Sequence, residues 1–386
     1  MTYAGEMYFA SLFAAAFLIF ATTCHVASIA VTAIRCRKNA RVPALRAHPA
    51  VTIVRPVCGL DNFVEETLRS SFELDYPNYE MIFCVASERD PVVPIVRLLI
   101  AEHPGTPARL LVGDERVSTN PKLNNCVKGW NAAVHDWIVL ADSNLLMPPD
   151  YLQRLFARWD ADTGLVCAPP VGSHPRNFWA EIECAFLNTY QLRWQYLGEA
   201  IGRGFAQGKT MLWQRELLER AGGIAALGAE IAEDAASTKV VRAAGLEVRL
   251  ARPPFAQPLG RRSAIEVWNR QMRWARLRRA CFPGYFFPEI LGGLVPPALA
   301  AAVVASEFDA PVAASLLALA AVWYGGEMLL ARIAGWHVSS LYPLQGLVRD
   351  LLLPAVWLAG VMGSQFVWRG NEMTTAEDDE PLPRQA

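Results

Sequence analysis

The chain has 386 residues, of which 53% are hydrophobic and 19% charged, with a mean hydropathy of +0.19. Soluble domains carry about 25% charged residues, so a wholly soluble protein is excluded and part of the surface is expected in lipid. A formal net charge of −1 excludes a general polyanion binder that works by charge neutralisation, and nucleic acid is not an expected partner. The eight cysteines have no CxxC or other metal-ligand spacing and read as reduced, structural thiols rather than a zinc site.

In chain order, residues 1–34 contain the apolar run "YFASLFAAAFLIFATTCHVASIAVTAI", long enough to cross a bilayer as a helix. No Lys or Arg precedes it, whereas Arg35, Arg37, Lys38, Arg41 and Arg46 follow. The positive-inside rule therefore predicts an outside amino terminus and a cytoplasmic domain over 35–284. Within that domain "AVTIVRPVCG" reads as a buried strand, "YEMIFCVASERD" and "DWIVLADSN" as apolar strands, and "ARLLVGD" as a further strand. "NFVEETLRSSFELD", "VVPIVRLLIAEHP" and "KLNNCVKGWNAAV" between them read as helices. Such alternation predicts an α/β fold with a mostly parallel sheet flanked by helices. Ligands of such sheets sit beyond the carboxyl ends of the strands, which is where Asp61, Glu88, Asp90 and Asp142 fall.

Asp142 follows four apolar strand residues in "VLADSN", a poor place for a core residue. A turn cap is one reading. The other is a metal and diphosphate site, with Asp142 offering hard oxygen to Mg²⁺ or Mn²⁺ and Asn144 an amide oxygen without charge. Phe178 to Tyr196 is rich in aromatics, including Trp179 and Trp194, and reads either as ordinary core or as an interfacial helix. Glu233 and Asp234 in "AEIAED" follow a Gly-Gly turn, and a carboxylate beside an apolar helix end is a candidate general base. "RQMRW", Arg270 to Trp274, opens a run of five arginines (270, 273, 276, 278, 279) that would suit a phosphate clamp, a membrane-surface anchor or a DNA-binding helix.

Residues 285–370 supply three further candidate spans: "YFFPEILGGLVPPALAAAVVAS", "PVAASLLALAAVWYGGEMLLA" and "LLLPAVWLAGVMGSQFVW". Arg332, His337 and Arg349 fall between the last two, on the expected cytoplasmic side, and the acidic tail over 371–386 is expected outside. The basic residues are almost all Arg, with Lys only at 38, 122, 128, 209 and 239. With the Ala-rich tracts this suggests a bacterial source and an inner-membrane location.

The order Asp61 ("CGLD"), Asp142 ("ADSN"), Asp234 ("AED") and "RQMRW" resembles the D, D, D, (Q/R)xxRW signature of membrane-bound inverting glycosyltransferases. More narrowly, "FELDYPNYEMIFCVASERDP", "NPKLNN", "AGGIAALGAEIAED" and "RQMRWARLR" resemble the ceramide glucosyltransferase family over about residues 51–280. The resemblance implies a GT-A type nucleotide-sugar domain that moves a hexose, UDP-glucose being the first expectation, to the primary hydroxyl of ceramide. It implies Asp61, Glu88, Asp90, Lys122, Asp142, Arg270, Arg273 and Trp274 at the donor, with Asp142 and Asn144 at a divalent cation. Asp234 is implied as the catalytic base, and His174, Trp179, Trp194 and Glu233 near the lipid acceptor. Arg276, Arg278 and Arg279 would then be headgroup contacts. Asn144 stands where the animal enzymes carry Gly, and the segment around residues 172–196 diverges. The alternatives are accordingly a hopanoid or other lipid acceptor with UDP-N-acetylglucosamine or UDP-galactose, or a non-catalytic nucleotide-sugar-binding membrane protein.

Overall fold

A computed structural model describes residues 3–38, 43–45, 47–368 and 371–375; Arg41, Arg46 and the acidic run of the tail lie outside the described residues. Nine strands build the domain: β1 Val51–Pro56, β2 Tyr79–Val85, β3 Ala108–Val112, β4 Trp137–Ala141, β5 Thr163–Cys167, β6 Pro170–Pro175, β7 Thr210–Gln214, β8 Glu247–Leu250 and β9 Phe255–Gly260. Seven form one sheet in the order β3-β2-β1-β4-β7-β5-β8, and β6 pairs with β9 in a small parallel ribbon. The expected mostly parallel sheet is present: β3, β2, β1 and β4 run parallel, and β7 alone opposes its neighbours. β1 is buried at all six positions, the signature of a strand covered on both faces.

The inverted strand matters for the site. Because β7 runs against β4 with Ala141 opposite Thr210, the carboxyl end of β4 meets the amino end of β7. Asp142 and Lys209 are thereby brought together, and the Asp142 N–H donates to the Lys209 carbonyl at 3.1 Å.

Among the described residues, three helices are long and apolar enough to cross a membrane: Phe9–Arg35, Val312–Ala334 and Tyr342–Met362. A fourth span is possible if Pro283–Leu291 and Val295–Glu307, bent by 42° at their junction, count as one. Pro288 on one side and Pro296 and Pro297 on the other flank that bend, and Gly292 and Gly293, the latter at φ 76°, lie at it. The last span is corrected. The sequence run at 351–368 predicts a helix there, but the helix is Tyr342–Met362, and Gln365–Trp368 (β10) pairs with Asn371–Thr374 (β11) as a hairpin.

Arg349 consequently lies inside a helix rather than in a loop, and is fully buried. It donates to Asp350 at 2.8 Å and pairs with Glu327 at 3.1 Å. Arg193 from the long helical run 178–200 joins this cluster, 3.6 Å from Glu327 and 2.8 Å from His25. Buried charge survives at such depth only when paired, so these groups lock the amino-terminal helix, the run 178–200 and both carboxyl-terminal helices into one arrangement.

Helix Ala264–Cys281 starts on a capping box formed by Ser263 and Glu266, a strong start signal. It lies alongside and parallel to helix Tyr342–Met362. Val267 packs with Leu352 and Leu353, and Ala275 meets Gly360. Arg276 and Arg279 donate to carbonyls of Ala359, Val361, Gly363 and Gln365, while Arg278 binds both oxygens of Glu289 at 2.6 and 2.8 Å. Each of these three arginines thus has a partner within the protein. Two of them satisfy the carbonyls that a helix carboxyl end leaves unpaired, and the third is spent on an internal ion pair.

Candidate active site

The site is assembled where four segments converge: the loop after β4, the loop before β7, and the amino ends of helices Pro121–Ala132 and Glu233–Ala243. Asn120 caps the first of these helices, its Oδ1 accepting from the backbone N–H of Lys122 at 2.9 Å and of Leu123 at 3.2 Å. That cap aims Lys122 inward, where its Nζ lies 2.7 Å from Asp142 Oδ1 and 2.6 Å from Glu233 Oε1. Lys209 closes the ring from the other side. Its Nζ lies 2.8 Å from Asp142 Oδ2 and 2.9 Å from Asn144 Oδ1. Asn120 completes the arrangement by donating to Glu233 Oε2 at 2.7 Å.

The charges of this cluster follow from its geometry. Burial alone would favour a neutral Asp142, but Lys122 and Lys209 hold its carboxyl well below the usual carboxylate range. Burial likewise opposes the Lys122 ammonium, yet Asp142 and Glu233 raise its pKa overall. Asp234, next to this network, behaves in the opposite way. Burial and the neighbouring Glu233 carboxylate push it up to about 6, even though it accepts from the N–H of Gly208 at 3.1 Å and of Ala235 at 2.8 Å. A partly exposed carboxyl with that value is suited to proton transfer near neutral pH. Gly208 makes room: a Cβ there would stand 2.7 Å from Glu233 Oε1 and 2.9 Å from Lys122 Nζ.

A second cluster borders the first. Asp61 Oδ1 accepts from Arg262 at 3.2 Å, and Asp61 Oδ2 accepts from Asn144 Nδ2 at 3.4 Å. Buried Glu183 pairs with Arg270 and lies 3.8 Å from Arg262. Behind both clusters, fully buried Arg55 donates to the carbonyls of Asp142 and Leu145 at 2.8 and 3.2 Å, fixing the loop that carries Asp142 and Asn144.

Asp61, Lys122, Asp142, Asn144, Glu233, Asp234 and Arg270 are thus gathered in one connected network. Glu233 sits among the lysines on the Asp142 side, paired with Lys122 and Asn120 and next in the chain to Asp234. Glu88 is not in the network; it is exposed and paired with Arg97 at 2.6 Å. Asp90 lies one step back, accepting from the N–H of Gly59 at 3.0 Å and so shaping the loop that carries Asp61. Trp274 packs on Ala180, Cys184, Leu187 and Leu259 rather than lining the network, and Arg273 sits over the Trp368 ring at 5.6 Å. His174 is exposed, with φ 51° and its ring 5.9 Å from that of Phe63. Trp179 contributes to an apolar cavity beside helix Ala264–Cys281, whereas Trp194 is half-exposed over Arg193, away from that cavity.

Sequence reasoning missed Lys209, Asn120, Arg262, Glu183 and Arg55. One signal was available for Lys209: Lys is rare in this Arg-rich chain, with five in all, and a fixed ammonium at a strand end suits an anion site better than a surface does.

Comparison with known proteins decides the lineage. Residues 19–380 match the family described as glycosyl transferase family 21. The chain belongs to that family.

Among its relatives, ceramide glucosyltransferase 3 of Caenorhabditis elegans is 26% identical over 362 residues, covering 92% of this chain and 79% of the worm protein. A ceramide glucosyltransferase of Komagataella phaffii is 38% identical over 121 residues, 30% of this chain and 24% of the yeast protein. The fold is similar to that of a mannosyltransferase from Pyrobaculum calidifontis solved in complex with GDP-Man and Mn²⁺. That likeness has a TM-score of 0.51 and 21% identity, over 90% of this chain and 97% of the other. This family 21 member is therefore a glycosyltransferase with a GT-A type fold, and among its described residues three helices are long and apolar enough to cross a membrane.

Proposed function

We propose that the protein transfers a hexose from a UDP-sugar, UDP-glucose in the first instance, to the primary hydroxyl of ceramide, with inversion at the anomeric carbon. The observation that carries this reading is geometric: Asp142 is held between Lys122 and Lys209 at 2.7 and 2.8 Å, and Asp234 joins the same network through the N–H of Gly208 at 3.1 Å, with burial and Glu233 raising its pKa to about 6. Two carboxyls whose surroundings push their pKa values apart mark the division between a binding anion and a base. Relatives named ceramide glucosyltransferase support the acceptor.

In this account Asp234 accepts the proton of the acceptor hydroxyl as its oxygen forms a bond to the anomeric carbon. The bond from that carbon to the UDP oxygen breaks on the opposite face, which inverts the centre in one displacement. Lys122, Lys209 and Arg270 offset the charge that develops on the departing diphosphate, where a fixed cation in a buried site is most effective. Asp142 Oδ2 and Asn144 Oδ1 both lie within 2.9 Å of one cationic group, the Lys209 ammonium. These hard oxygens would suit Mg²⁺ or Mn²⁺, which share coordination with substrate phosphates, if the Lys209 ammonium that now fills the point between them turned toward the diphosphate. Among the described residues no group of three or more His, Cys, Asp or Glu forms a metal cage, so the diphosphate would complete the coordination. Such an ion, when bound, supplies positive charge to the leaving UDP.

The test is direct. The purified protein in lipid nanodiscs is given UDP-glucose and ceramide, and the lipid product is resolved by NMR. A β-linked glucosylceramide with stoichiometric UDP is expected. An α-linked product would overturn inversion, and turnover with a hopanoid but not with ceramide would overturn the acceptor.

A further inference from the structure

Two lysines face one carboxylate, and they are not held alike. Lys122 Nζ has three partners: Asp142 Oδ1 at 2.7 Å, Glu233 Oε1 at 2.6 Å and the carbonyl of Gly208. Burial disfavours its ammonium, but the two carboxylates raise its pKa overall. Among the described residues Lys209 Nζ has two partners, Asp142 Oδ2 at 2.8 Å and the uncharged Asn144 Oδ1 at 2.9 Å. Burial and the nearby Arg270 guanidinium lower its pKa against the pull of Asp142. Of the two lysines, Lys209 is the one free to yield.

Its backbone is fixed and its side chain is not. The Lys209 carbonyl accepts from the Asp142 N–H at 3.1 Å, and the next residue opens β7. The side chain keeps 16% of its surface exposed, against 10% for Lys122, and carries its charge on a flexible four-carbon stem. That ammonium stands between the two hard oxygens. Mg²⁺ lies about 2.0–2.1 Å from its oxygen ligands, so no such ion can join Asp142 to Asn144 while Lys209 stays between them.

We propose that Lys209 is a displaceable counter-ion of the donor site. Without donor, its ammonium neutralises Asp142 and keeps free divalent cations out. A diphosphate carries more negative charge than one carboxylate, draws the ammonium toward itself, and so leaves Asp142 and Asn144 open to a cation that enters with it. Lys122 stays behind and holds the Asp142 loop to Glu233. Lys209 thereby ties cation entry to donor entry, and by linkage the coupling is reciprocal. The inference rests on the nucleotide-sugar reading above and adds the order in which that site is assembled.

The full chain in phosphatidylcholine nanodiscs is titrated with Mn²⁺ in the presence and absence of UDP, free Mn²⁺ being read by electron paramagnetic resonance. Lys209→Met should bind Mn²⁺ without UDP about tenfold more tightly than wild type. Lys209→Arg keeps a cation in place and should behave as wild type. A second arm uses UDP in chelator, read by calorimetry. Lys209→Met should bind metal-free UDP about tenfold more weakly than wild type, because the ammonium that turns to the diphosphate is gone. Lys209→Ser repeats both arms as an independent variant. Equal UDP-free Mn²⁺ affinity in wild type, Lys209→Met and Lys209→Ser would overturn the exchange and leave the donor reading intact, as would equal affinity for metal-free UDP. UDP binding with no Mn²⁺ bound by any of the proteins would overturn the exchange and remove the cation from that reading. No UDP binding by wild type would overturn both.

Discussion

Asp142 and Asp234 illustrate how one residue type is given two tasks by its neighbours. Lysines on both sides keep Asp142 ionised, whereas burial and a like charge raise Asp234 to about 6. A base works only when deprotonated, so the raised value moves the acid limb of the rate profile upward from the ordinary carboxylate range. Transfer should fall about tenfold per pH unit below about 6, and a pH–rate profile of kcat/KM checks this; a rate flat from pH 7 to 4.5 would contradict it. Gly208 gives a second residue-scale expectation. A methyl at 2.7 Å from Glu233 Oε1 must displace the Lys122–Glu233 pair, and overpacking costs about 1–3 kcal/mol. Gly208→Ala should accordingly lower kcat/KM by roughly 5- to 160-fold, measured with UDP-glucose and ceramide. Asp142 was legible in the sequence because a carboxylate closing an apolar run has few structural uses. Lys209 was not, since it reaches Asp142 only through the antiparallel β7, 67 residues away.

Elements were easier to read than their ends. The strands and helices up to β4 follow directly from apolar runs punctuated by Pro, Gly and polar residues, and β1, β2 and β4 read as continuous apolar runs because they are buried on both faces, whereas the edge strand β3 is not. The last long helix was misplaced for a physical reason. Hydropathy counts Arg349 and Asp350 as solvent-seeking, but they neutralise each other and Glu327 in the interior, so the helix begins nine residues before the apolar run at Leu351. Removing one member strands the others. Arg349→Met should destabilise the protein by about 3–5 kcal/mol, as breaking a buried ion pair does, read as a lowered melting temperature in detergent. A melting temperature within a degree of wild type would contradict the role assigned to this cluster.

At the scale of the whole molecule, sugar donor and lipid acceptor must meet at one bilayer surface, and the packing of the helices decides which segments lie there. Helix Tyr342–Met362 runs parallel to the arginine-rich helix Ala264–Cys281, and its end and the following hairpin are tied to Arg273, Arg276 and Arg279. Carrying that many guanidiniums across a hydrocarbon core would be costly, so both helices are expected on the domain side. Reporter fusions after residues 45, 280 and 375 should therefore read on one side of the membrane and a fusion after 308 on the other. The sequence alone led to the opposite expectation for the tail, because an apolar run of that length reads as a crossing regardless of what packs along it. A fusion after 375 that reads with the one after 308 would restore the crossing. The central claim, that Asp234 takes the acceptor proton, is tested most directly by Asp234→Asn. Single-turnover transfer from UDP-glucose to ceramide and UDP affinity by calorimetry are measured in the same nanodiscs. Transfer about 10²–10⁴-fold slower with UDP affinity close to wild type is the predicted result, and transfer at the wild-type rate would contradict it.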